Sequence, residues 1–184
     1  QANIYLINQI NYYDIKPIIL TRNIFDSIIS LDDFILKQHT FLKKNNLNSF
    51  FLDWHIKIPN NFIDFPFKKR INLLTKIIGP WYVNFYLSWK RMESHLENGV
   101  CWLTYENSIL NEINLINKIS DYLEINDNQK LKLSQTFHNP KGMTTLFNKG
   151  ITGRGNAINI NTKKFLIEYA ENFSEFNKND FKNM

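Results

Sequence analysis

KPIILTRNIFDSIIS, residues 16–30, is the stretch on which the fold reading turns. Its first part, KPIILT at 16–21, is a short apolar run opened by a proline and reads as a buried strand. From Asn23 the period changes. Phe25, Ile28, Ile29, Asp32 and Leu36 recur at helical spacings, which predicts a helix from Asn23 to about Lys37. Asn23 is suited to cap it, and Asp26 falls in the first turn, where the helix dipole favours an acid. Strand, tight turn and helix together form the repeating unit of a parallel α/β sheet.

Working outward, residues 1–13 fit neither period clearly. Residues 40–70 mix aromatics with Asn and Pro and read as irregular, with room for one short helix; Pro59 and Pro66 argue against a long one. Ile71 to Glu97 is mostly helical in pattern, with an expected interruption at Gly79-Pro80. Beyond it, Trp81, Phe85, Trp89 and Met92 mark an apolar face, and Val83, Tyr86, Leu87, Lys90 and Ser94 a mixed one. Gly99 ends this segment, and VCWLTY at 100–105 is the second strand. A helix is expected over Asn107–Leu123, with Ile109, Ile113, Ile116 and Ile119 inward, then a short one near Asp127–Thr136. The glycine cluster GMTTLFNKGITGRG, 142–155, precedes a last helix at about Thr162–Phe176 and a polar tail.

The 184 residues, 43% hydrophobic and 21% charged, are enough for one folded domain, and with no repeat or linker a single domain over 1–184 is expected. Cys101 is the single cysteine, which excludes an internal disulfide and a cysteine-rich metal site. No apolar stretch is long enough for a spanning helix. No signal pattern opens the chain, so the cytoplasm is the default setting, with an upstream signal or anchor left open. Gln1 rather than Met stands first, which points to a processed chain or a piece of a longer one. The net charge of +5 rests mostly on lysine, and 27 asparagines with 25 isoleucines suggest A+T-rich coding. Such a balance is compatible with phosphate-bearing ligands or acidic partners and selects neither. Nucleic acid is disfavoured, because the lysines are scattered and the aromatics are not interleaved on a basic face.

Ligands of open α/β sheets bind beyond the carboxyl ends of the strands. Arg22 follows the first strand and Ser30 lies eight residues on; Tyr105-Glu106 ends the second strand. Lys149-Gly150 and Gly153-Arg154-Gly155 form a basic loop whose glycines free the backbone to approach an anion. Each has an ordinary structural reading as well: a paired arginine, a solvated serine, a core tyrosine, a plain loop. None of His39, His55, His95 and His138 has metal-ligand spacing with another, and each reads as structural; no metal is implied.

Three segments together resemble the sulfotransferase family, whose members use 3'-phosphoadenosine 5'-phosphosulfate as sulfo donor. They are residues 16–30, residues 79–108 (GPWYVNFYLSWKRMESHLENGVCWLTYENS) and FNKGITGRGN at 147–156. The chain departs from the better-known members at Asn148, where they carry arginine, and at Arg154-Gly155, where they carry aspartate-tryptophan. The resemblance implies an α/β fold, a three-layer parallel sheet with flanking helices of the P-loop nucleotide-hydrolase kind. The chain would be N-terminally incomplete, the C-terminal two thirds of a sulfotransferase-like domain.

It further implies transfer of a sulfo group to a hydroxyl or amine of a small-molecule or glycan acceptor. The cofactor residues would be Arg22, Ser30, Tyr105, Lys149, Gly150 and Arg154, and the resemblance names no catalytic base within the chain. Two alternatives accompany it: a non-catalytic or degenerate nucleotide-binding module of the same fold, and an ATP-dependent small-molecule kinase. The oligomeric state is left open.

Overall fold

A computed structural model describes residues 1–44, 58–59, 61–138, 151–177 and 180. In chain order the elements are α1 (Ile4–Tyr12), β1 (Ile18–Thr21), α2 (Ile24–Lys44), α3 (Phe67–Met92), β2 (Cys101–Thr104), α4 (Tyr105–Leu110), α5 (Glu112–Leu123), α6 (Asp127–His138) and α7 (Ile160–Ala170). Short 3-10 turns lie at Phe62–Asp64, Glu93–His95 and Arg154–Ala157. Contacts group the chain into two units, one of Gln1–Arg22 with Tyr86–Gly150, the other of Asn23–Phe85 with Ile151–Lys182.

In the first unit β1 and β2 pair in parallel, with Ile18 opposite Cys101 and Thr21 opposite Thr104. Ile19 and Thr21 are buried, whereas Ile18 and Leu20 stand 37% and 57% exposed, so one face of β1 is open to solvent. The N-terminal segment that showed no clear period forms α1. Asn3 caps it by accepting from the Leu6 amide at 3.0 Å, and Ile7 and Ile10 are buried. The stretch expected as one helix over Asn107–Leu123 is two. Asn111 leaves helical geometry (φ −147°) and its carboxamide oxygen accepts from the Asn114 amide at 3.0 Å, so an asparagine that could have continued α4 caps α5 instead.

In the second unit Asn23 caps α2 as its position suggests, its side-chain oxygen accepting from the Phe25 and Asp26 amides, each at 3.1 Å. Ile24, Ile28 and Ile35 are fully or almost fully buried along one stripe. The expected interruption of α3 at Gly79-Pro80 does not occur, and the helix runs through both residues. Gly79 has a packing reason to be there. A Cβ at this position would come 2.8 Å from a methyl of Leu166, a fully buried residue of α7. The missing side chain lets the α7 leucine seat against α3. Arg70 makes a two-pronged contact with the buried Asp32, Nε to Oδ1 at 2.8 Å and Nη2 to Oδ2 at 3.0 Å, and donates to the Phe65 carbonyl at 2.7 Å.

The expected three-layer parallel sheet, and with it the P-loop nucleotide-hydrolase and sulfotransferase architecture, is corrected by this structure. Among the described residues the sheet has two strands, and the fold is predominantly helical. The βα unit at 16–44 forms, but a sheet needs further strand-length apolar runs to grow. The described segments on either side carry helical periodicity or capping residues and fold as helices.

Candidate functional site

A cavity of about 540 Å³ opens in the first unit. Thr21 and Thr104, the last residues of β1 and β2, both line it, which places it at the carboxyl ends of the strand pair. Buried Thr21, Tyr86 and Leu103 form its deep part. Asn111, Asn114, Leu115 and Lys118 line one wall, and their spacing of three, four and seven residues is that of a single helical face of α5. Asn107 of α4 adds a third carboxamide, and Lys90 sits one turn beyond Tyr86 on α3. Trp102 of β2 completes the lining.

The lining is cationic and rich in hydrogen-bonding groups. Lys90 and Lys118 are its charged residues, and no lining residue is a carboxylate, an imidazole or a thiol. Trp102 holds both ammonium groups. The Lys118 Nζ donates to the Trp102 carbonyl at 2.6 Å, and the Lys90 Nζ lies 4.9 Å from the centre of the Trp102 ring and 5.9 Å from that of Tyr86. The indole N–H in turn donates to Glu93 Oε1 at 2.9 Å, while Glu93 Oε2 stands 3.8 Å from Lys90. Asn111 commits its oxygen to capping α5, and Thr21 donates its hydroxyl proton to the Leu103 carbonyl at 3.1 Å. Behind this wall, burial pushes the Cys101 thiol up from its ordinary range, with the Lys118 charge pulling the other way. Burial likewise raises the phenol of Tyr122, which donates to the Gly99 carbonyl at 3.1 Å.

Of the residues singled out in the sequence, Arg22 and Tyr105 are brought together. The guanidinium lies 4.2 Å from the centre of the tyrosine ring, just past the ends of β1 and β2. They adjoin the cavity's two threonines in sequence without lining it. Ser30 lies within α2, in the second unit. Lys149 and Gly150 lie outside the described residues, as does His55.

Arg154 belongs to the second unit, where its Nη2 donates to Asp33 Oδ2 at 2.7 Å. The glycines around it do cradle an anion, but one supplied by the chain. The Gly153 amide donates to Asp26 Oδ2 at 2.7 Å and the Gly155 amide to Asp26 Oδ1 at 2.5 Å. Asp26 is 1% exposed. Gly153 has φ +81°, and a Cβ on Gly155 would come 2.5 Å from the Cβ of Phe25. Both glycines are thus required by the docking of this loop on α2.

That arrangement corrects the cofactor assignment. Among the described residues there is no nucleotide-binding loop and no sheet that would carry 3'-phosphoadenosine 5'-phosphosulfate, because the loop's amides are committed to Asp26 and its arginine to Asp33. No family model, curated protein or solved structure matches the chain. The sulfotransferase identity, its sulfo-transfer reaction and the expected enzyme class therefore have no support in fold or in similarity. The degenerate nucleotide-binding module and the small-molecule kinase fall with the fold they shared. Among the described residues, no cluster of His, Cys, Asp and Glu could hold a metal ion, and no helix is long and apolar enough to cross a membrane.

Lys118, Asn111 and Asn114 went unread in the sequence, and Lys90 was noted there only as part of a mixed face. The signal lies in the sequence of α5 and its cap, where polar residues at 111, 114 and 118 share one face beside the more prominent isoleucine stripe. Ile113, expected inward, is 73% exposed, while Ile116 is buried.

Proposed function

We propose that the first unit is a binding module for small anionic molecules that also carry hydrogen-bonding groups, seated in the cavity at the ends of β1 and β2. The observation that carries this reading is the lining itself: two lysines, three asparagines and two threonines, with no acid among them. A volume of about 540 Å³ lies within the roughly 300–1,000 Å³ usual for small-molecule sites. Carboxamides and hydroxyls both donate and accept, so they suit a ligand bearing hydroxyl or amide groups beside its charge. The lining offers binding rather than proton transfer, since it lacks the groups that most often act as acid or base near neutral pH. A small-molecule partner in the cytoplasm is part of the proposal, supported by a single cysteine that leaves no disulfide to form within the chain.

Isothermal titration of the full chain tests it, with inorganic phosphate, citrate and gluconate against neutral glucose at fixed ionic strength. Saturable binding of the anions, absent for glucose and lost in Lys118→Glu, is the expected result. Binding of glucose as tight as that of the anions, or anion binding unchanged in Lys118→Glu, refutes it.

A further inference from the structure

The two lysines of the cavity are not independent. Lys118 is tied to the backbone oxygen of Trp102, and Lys90 lies over the ring of the same residue. One residue of β2 therefore fixes an ammonium group from α3 and another from α5 at the rim of one cavity. Their counter-charge is thin. Glu93 stands 3.8 Å from Lys90, in a pair whose side chains are each 37% exposed, and its other oxygen is taken by the Trp102 indole. Exposed pairs of this kind hold weakly, so Lys90 gives up little in turning from Glu93 to a ligand. Lys118 forms no ion pair among the described residues, and its hydrogen bond goes to a neutral carbonyl that uses one of its three donors.

Two ammonium groups line the cavity, and Glu93, the acid that offsets Lys90, does not line it. A dianion satisfies both, and its several oxygens can also accept from the carboxamides of Asn107, Asn111 and Asn114. Asn111 is the clearest of these: with its oxygen held by the Asn114 amide, its NH₂ is the group left to face a ligand. Resting on the small-anion reading above, we infer that the cavity holds a subsite for a dianionic phosphomonoester group, gripped between Lys90 and Lys118. Trp102 is a positioning residue for both lysines. The hydroxyls of Thr21 and Thr104 lie at the strand ends, where the uncharged remainder of the ligand sits.

Discrimination by charge is the test. The full chain is titrated at pH 8, where phosphomonoesters are dianionic, with inorganic phosphate and glycerol 3-phosphate. Acetate and dimethyl phosphate, both monoanions, serve as comparators at the same ionic strength. The two dianions are expected to bind at least tenfold more tightly than either monoanion. Lys90→Met and Lys118→Met should each remove most of that preference. Trp102→Leu keeps the backbone carbonyl that holds Lys118 but removes the ring under Lys90, so it should weaken dianion binding as Lys90→Met does, with Trp102→Phe, which keeps a ring there, restoring much of it.

Dimethyl phosphate binding within about twofold of phosphate, while still depending on Lys118, overturns the dianion subsite but leaves the small-anion reading in place. A dianion preference that survives both lysine changes overturns the assignment to these residues. Absence of binding by every anion overturns the subsite and the small-anion reading together.

Discussion

Replacing Asp26 by asparagine probes the second unit at its most buried carboxylate. The carboxylate accepts the Gly153 amide at 2.7 Å on one oxygen and the Gly155 amide at 2.5 Å on the other, with Asp26 1% exposed. Asparagine has nearly the same shape but one acceptor oxygen, so one of the two backbone amides meets an NH₂ group instead of an acceptor. A hydrogen bond to a charged group contributes about 1.5–3 kcal/mol, and a buried amide left unpaired costs about 1–3 kcal/mol. These overlap, since they describe the same contact, and the expected loss is roughly 3 kcal/mol. That is a large part of the roughly 5–15 kcal/mol that holds an ordinary domain together. Urea unfolding followed by far-UV circular dichroism measures it.

Gly155→Ala should act on the same contact by another route. Its Cβ would meet Phe25 Cβ at 2.5 Å and the Phe25 carbonyl carbon at 3.1 Å, neither of which is a flexible chain end. Overpacking of this kind costs about 1–3 kcal/mol. Because either change undocks the loop, the double variant should lose less than the sum of the two. An Asp26→Asn loss below about 1 kcal/mol, or strict additivity with Gly155→Ala, refutes the reasoning that the loop is held by this carboxylate.

Three further outcomes are expected. Asp32→Asn strips the half-buried Arg70 of its two-pronged partner and should cost about 3 kcal/mol in the same unfolding assay; the Arg70 pKa is raised, chiefly by that hydrogen bond, so its contribution is lost only on rising through a folded-state value above the ordinary arginine range and should show no pH dependence between pH 5 and 9. Cys101 and Tyr122 both have pKa values raised by burial, so the neutral forms are favoured in the folded chain: their contribution is complete below the ordinary thiol value and falls as pH rises through the folded values, which thermal melts from pH 7 to 11 would detect as a declining melting temperature, less steep in Cys101→Ala. Leu20→Lys places a charge on the exposed face of β1, where it stays solvated, and should change stability by no more than about 0.5 kcal/mol in the same unfolding assay.

The strand–turn–helix unit at 16–44 was legible because local signals agree there: an apolar run, a capping asparagine and a helical stripe. The same agreement marked Cys101–Thr104 as a strand. What failed were inferences needing knowledge of distant neighbours. Gly79-Pro80 signals a break in isolation, yet α3 continues, and the missing side chain at 79 serves the packing of Leu166, 87 positions later. The glycines at 153 and 155 carry the composition of an anion-binding loop, and in the structure their amides bind a carboxylate of the chain itself. That carboxylate is Asp26, 127 residues away from Gly153, which no local pattern announces. The cavity was hidden for a related reason: its lysines come from α3 and α5 and converge only through Trp102. The resemblance to a known family carried three short segments into a whole architecture, and a sheet cannot be extrapolated from two strands.

Each unit is built from two stretches of chain that are far apart in sequence, and this interleaving governs how the protein can be dissected. A cut between Arg22 and Asn23 separates β1 from β2, and a cut after Gly150 removes the loop that seats on Asp26. No single contiguous fragment therefore contains one whole unit without most of the other. During synthesis the Asp26 carboxylate must wait, buried partner unmade, until Gly153 and Gly155 have left the ribosome. Closure of the second unit therefore waits on residues 153–155, long after α2 and α3 have been made.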